Sequence, residues 1–172
     1  MKKITTLLFA IVSFQLSAQR NVILIIADDL GKEYCDIYPD HSPLTVKLPN
    51  VKRLLDRGIV FSNAWSNPLC SPTRAGILTG RYSFRTGVGD VVGGTNPQLS
   101  LSENTIPKVL DIFSPNGIAK AYIGKWHVTA SAPAGYSYPN TLGFDHYEGN
   151  LAGGLGASIT GYSNWTKITN GV

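Results

Sequence analysis

Asn21-Val-Ile-Leu-Ile-Ile-Ala-Asp-Asp-Leu-Gly31 decides the fold class of this chain. Apart from Leu24, residues 22–26 are β-branched, and no polar residue interrupts them. A continuous run of this kind predicts a strand buried on both faces, which is the habit of parallel sheets in α/β folds. Asp28 and Asp29 stand where that strand would end. In open α/β sheets, sites gather at the carboxyl ends of strands. The stretch therefore predicts an α/β architecture, a mostly parallel central sheet flanked by helices, with two carboxylates at its working edge.

Downstream, the pattern alternates as such a fold requires. Residues 48–58 read as a helix opened by Pro49, with Val51, Leu54 and Leu55 on one face and Gly58 as its stop. Residues 59–61 read as a short strand. Residues 72–78 read as a helix ended by Gly80, and residues 105–113 as a helix capped by Thr105. Residues 118–123 resemble a second buried strand, which delivers Gly124-Lys-Trp-His127 at its end. From residue 131 the chain is rich in Gly, Ser, Pro, Tyr and Asn. Gly153, Gly154 and Gly156 give only a weak nucleotide-loop signal, because no clear strand precedes them and no clear helix follows.

Upstream, Lys2 and Lys3 precede a mostly apolar segment, 4–16, followed by Ser17 and Ala18. Residues 1–19 read as a secretory signal peptide, too short for a comfortable membrane span. Export, to a periplasm or the exterior, is expected, without stable membrane insertion. Lys2 and Lys3 leave with that segment, which takes the formal charge from +4 to +2. No Lys/Arg run or basic stripe remains, so nucleic acid is not an expected partner. Charged residues make up 15% of the chain and hydrophobic ones 43%, a balance that excludes disorder. The 172 residues suit one domain.

The chemistry concentrates in Pro68-Leu-Cys-Ser-Pro-Thr-Arg-Ala-Gly-Ile-Leu-Thr-Gly-Arg81. Cys70 precedes a helix start marked by Pro72. A helix N-terminus offers free N–H groups and partial positive charge, and Arg74 adds a fixed cation. This is a setting for an anion, whether a thiolate or a bound sulfate or phosphate group. The same features fit a buried structural cysteine, and export would permit a disulfide with Cys35. Both alternatives stand on these residues alone.

The order Cys70-x-Pro72-x-Arg74, extended through Ala75-Gly76, Leu78-Thr79-Gly80 and Arg81, resembles the signature of the type I, formylglycine-dependent sulfatases. Residues 21–31 are similar to that family's first strand, 48–58 to its first helix, and 61–66 to the approach to the signature. Residues 123–127 are similar to its second motif, and 143–145 to a segment just after it. The resemblance implies an alkaline-phosphatase-like fold, with residues 20–172 forming the N-terminal part of a catalytic domain that is truncated. It also implies that a maturation enzyme oxidises Cys70 to formylglycine. One hydroxyl of the hydrated aldehyde would attack the sulfur of a sulfate ester and expel the alcohol, and the second would let the sulfated adduct collapse, releasing sulfate and restoring the aldehyde. Asp28, Asp29 and the residue made from Cys70 would ligate Ca²⁺, or Mg²⁺. Arg74 would orient the modified residue, Lys125 would contact sulfate and the hydrate, and His127 would hydrogen-bond a hydroxyl of the hydrate. The implied substrate is a sulfate ester, that of a sulfated glycan. A phosphodiesterase or phosphonate hydrolase of the same superfamily is the alternative enzyme, and an inactive glycan-binding relative the alternative without chemistry.

Overall fold

The computed structural model describes residues 21–39, 42–114, 117–130, 135–154 and 163–172. The expected signal segment and Gly156 lie outside them. The chain divides into two units, Met1–Asp56 and Arg57–Val172.

In the first unit, residues 21–27 form no strand. Their side chains are exposed apart from the half-buried Ile26, Ile23 at 84%, and the expectation of a strand buried on both faces is corrected here. Apolar side chains create a strand only where a neighbouring strand takes up the backbone N–H and C=O groups. Among the described residues of this unit the one β-bridge is instead Cys35 with Val46. A single 3-10 turn, Lys32–Tyr34, precedes that bridge. It is backed by hydrogen bonds from Val46 N–H to Tyr34 C=O (2.8 Å) and from Leu48 N–H to the Asp36 carboxylate (3.1 Å). Helix α1, Pro49–Leu55, starts on proline as read and carries Lys52 and Arg53 in its last turn, where they complement the helix dipole. It ends three residues short of Gly58.

The second unit holds the core. Helix α2 is Cys70–Thr79, α3 Ser83–Thr86, α4 Ile106–Phe113 and α5 Tyr138–Thr141. The strands are β1 Ala121–Lys125, β2 His146–Asn150 and β3 Ile168–Thr169, in a three-stranded sheet of order β1-β2-β3. Strands β1 and β2 run parallel, from Ala121 opposite His146 to Lys125 opposite Asn150. β3 pairs antiparallel to β2. No strand forms at residues 59–61, whose side chains are exposed. The strand expected at 118–123 lies slightly later and is not buried on both faces, Ile123 being 68% exposed. Its alternation marks a half-covered sheet.

Helix α2 begins at Cys70, two residues before the expected start. Pro72 is tolerated inside the first turn because the N–H it lacks would have had no helical acceptor. Gly80, at φ 67°, closes the helix in the left-handed conformation that glycine adopts without strain. Ala75 and Leu78 carry the inner face of α2 into a core with Val88, Val92, Leu99, Trp126, Val128, Leu142, Tyr147 and Leu151. Tyr122, Trp126, Phe144 and Tyr147 meet mostly edge to face, with centroids 5.0–6.1 Å apart. At the start of the sheet, the Asp145 carboxylate accepts the Lys120 backbone N–H at 2.8 Å. The buried Lys120 ammonium bridges to Asp111 at 2.5 Å and to Asp145 at 3.3 Å. Thr105 stands at the N-cap of α4, but its hydroxyl donates to the Leu142 carbonyl (2.5 Å) and does not cap the helix.

Candidate active site

The site forms where the start of α2 meets the end of β1. The first turn of α2 is fixed from several sides. The Thr73 hydroxyl donates back to the Asn67 and Leu69 carbonyls, at 3.0 and 2.8 Å. The fully buried Ser71 hydroxyl accepts the Val92 N–H at 3.2 Å. Cys70 is thereby held as the first helical residue, among N–H groups that have no helical acceptor.

The sheet brings the partner of Cys70. Two backbone hydrogen bonds follow just beyond the strands, Trp126 N–H donating to Asn150 C=O (2.9 Å) and His127 N–H to Leu151 C=O (3.0 Å). His127 is 7% exposed and sits at φ 54°. That left-handed conformation costs a non-glycine residue roughly 1–3 kcal/mol and marks strain held by the surrounding structure. It places His127 Nδ1 3.0 Å from Cys70 Sγ, within hydrogen-bond reach, the tautomer deciding which atom donates.

Arg74 lies one turn further along α2 and is 5% exposed. A buried guanidinium must find acceptors. Its Nη1 donates to the Tyr122 hydroxyl (2.7 Å) and to the Lys125 carbonyl (2.5 Å), and the Tyr122 hydroxyl donates to that same carbonyl at 2.7 Å. Arg74 thus ties the first turns of α2 to the end of β1. Lys125, the last residue of β1, is partly buried. The structure therefore brings together Cys70, Arg74, Lys125 and His127, each singled out in the sequence. It adds Tyr122, which sequence reasoning missed. The two-residue alternation of a strand would have turned Tyr122 inward beside Gly124 and Trp126, and that was the available signal.

Asp28 and Asp29 belong to the first unit, where both are exposed at a turn and Asp29 has φ 57°. Two hard carboxylates suit Ca²⁺ or Mg²⁺ in kind, but Ca²⁺ takes about six to eight oxygens. Among the described residues no three His, Cys, Asp or Glu side chains gather into a metal-binding group. Both cysteines are free. Among the described residues no helix is long and apolar enough to cross a membrane.

Comparison with known proteins gives consistent matches. The sulfatase family model matches residues 20–166. Human arylsulfatase D is 34% identical over 137 residues, covering 75% of this chain and 23% of the relative. Human N-acetylgalactosamine-6-sulfatase is 32% identical over 144 residues, covering 76% of this chain and 25% of the relative. The crystal structure of Ps i-CgsB superposes with a TM-score of 0.64 at 32% identity, covering 77% of this chain and 28% of that one. The chain spans about a quarter of the length of the curated relatives it matches.

Proposed function

This chain belongs to the sulfatase family, with its alkaline-phosphatase-like α/β fold, and on that premise we propose that it serves the hydrolysis of a sulfate ester at Cys70. The observation that carries the proposal is the 3.0 Å approach of Cys70 Sγ to His127 Nδ1 at the start of α2. Conversion of Cys70 to formylglycine by a maturation enzyme supplies a hydrated aldehyde, with one hydroxyl to attack sulfur and a second to release sulfate.

The chain's own residues prepare the rest. His127 Nδ1 lies where it can hold or take a proton from a group at position 70. The start of α2 presents N–H groups and partial positive charge to a sulfate. Arg74 and Tyr122 fix the Lys125 backbone, so that the Lys125 side chain starts from a rigid base on its way to the sulfate oxygens. The buried aromatic cluster behind β1 keeps that base from shifting. A Ca²⁺ or Mg²⁺ ion with Asp28 and Asp29 among its ligands belongs to the same reading. So does export on residues 1–19, to a periplasm or the exterior.

For the substrate we propose a sulfated carbohydrate, supported by the likeness to N-acetylgalactosamine-6-sulfatase. The test has two parts, made on the full protein produced with the maturation enzyme. Mass analysis of the peptide carrying position 70 should show the aldehyde in place of the thiol. Turnover of an aryl sulfate should exceed that of the matching aryl phosphate and vanish in Cys70→Ala. Unmodified Cys70 after co-production, or preference for the phosphate ester, would overturn the reading.

A further inference from the structure

We infer that Gly153 is a positioning residue for His127, its missing side chain leaving the space in which the imidazole turns Nδ1 toward Cys70. A Cβ added at Gly153 would lie 2.5 Å from His127 Cε1, 2.7 Å from Nε2 and 3.1 Å from Nδ1. Carbon atoms settle at about 3.5–4.0 Å, so the ring or the loop must move by roughly 1 Å. The loop is the stiffer of the two. Leu151 is buried in the core, its carbonyl accepts the His127 N–H, and Ala152 N–H donates to the Asn150 side chain at 2.6 Å. The ring is the part that gives way, and moving it breaks the 3.0 Å alignment with Cys70.

The next residue supplies the control. A Cβ at Gly154 meets nothing within 4 Å, and its backbone is outside the left-handed region. Gly153 and Gly154 share a loop and a composition, and only one of them touches the imidazole. The glycines that look like a weak nucleotide loop in the sequence are, at Gly153, packing against a side chain of the site.

The inference deepens the proposed function and rests on its pairing of Cys70 with His127. Its test uses the thiol, so it does not depend on sulfate-ester turnover. The full protein is produced without the maturation enzyme, and Cys70 is followed by the pH dependence of iodoacetamide alkylation, resolved from Cys35 by peptide mass. Gly154→Ala should superpose on the unsubstituted protein. Gly153→Ala should change the profile several-fold in rate, toward that of His127→Ala, and Gly153→Ala/His127→Ala should add nothing further. An unchanged profile in either Gly153→Ala or His127→Ala overturns the inference, as do equal changes in Gly153→Ala and Gly154→Ala. Thermal melting covers the case in which Gly153→Ala folds poorly. Removing the ring in the double variant should recover the lost Tm, and equal loss with and without the ring counts against the role.

Discussion

The Arg74 guanidinium and the Tyr122 hydroxyl are joined at 2.7 Å, and both close on the Lys125 carbonyl. This small ring of donors and one shared acceptor links the helix bearing Cys70 to the strand that delivers Lys125 and His127. Tyr122→Phe keeps the aromatic packing and removes only the hydroxyl. It should cost about 1.5–3 kcal/mol, the range for a hydrogen bond to a charged group, measured by urea unfolding. In the full protein aryl sulfate turnover should fall by up to roughly a hundredfold, as expected when catalytic groups are misplaced by about 1 Å.

His127→Ala removes the group 3.0 Å from Cys70 Sγ. Proton transfer by a positioned side chain is worth roughly 10²–10⁴ in rate. Turnover of an aryl sulfate should fall by that factor, with conversion of Cys70 to the aldehyde intact by mass. Wild-type turnover in this variant would exclude His127 from proton handling.

Gly149→Ala should destabilise the second unit by about 1–3 kcal/mol, the usual range for overpacking. Its Cβ would run into the Gly124 carbonyl across the β1–β2 ladder. Gly89→Ala meets nothing within 4 Å and should stay within about 0.5 kcal/mol of wild type. Chemical unfolding of the pair distinguishes close backbone approach from a general effect of adding a methyl group.

The link between Asp145 and Lys120 predicts a pH dependence. The Lys120 backbone N–H, and then its ammonium, hold the Asp145 carboxyl below its ordinary value of 3.8. The stability this contributes is present above pH 3.8 and is lost as pH falls through the lower folded value. The hydrogen bond to Asp111, aided by Asp145, raises Lys120 above 10.5. That contribution is present below pH 10.5 and is lost as pH rises through the higher folded value. Asp145→Asn should lower stability near neutrality and flatten the acid limb of a plot of urea midpoint against pH. An acid limb unchanged by Asp145→Asn would show that other carboxylates govern it.

Helices α2 and α4 were legible because their determinants are local. Pro72 marks the start of α2 and Gly80 its stop, Thr105 occupies the N-cap position of α4, and α4 carries apolar residues at helical spacing. Strand β2, His-Tyr-Glu-Gly-Asn, was not legible. Its residues favour no strand by themselves, and it exists because β1 pairs with it from 25 residues upstream. Residues 22–26 fail in the opposite direction, with strong local preference and no partner strand among the described residues. At the site, Cys70, Arg74, Lys125 and His127 were readable from motif order. The contacts of Tyr122 and Gly153 were not, because each depends on a residue elsewhere in the chain meeting it in space.

The backbone pairing that continues through Trp126–Asn150 and His127–Leu151 also governs how the site opens. An imidazole on a free loop could swing out in local fluctuations while the sheet stayed closed. Here the His127 amide is held by the Leu151 carbonyl just past the end of β2, so exposing it to solvent requires parting the chain at that end of the sheet. Its hydrogen exchange should therefore track that of the β1 amides. The Cys70–His127 contact gains the persistence of the sheet end and gives up the freedom to breathe on its own.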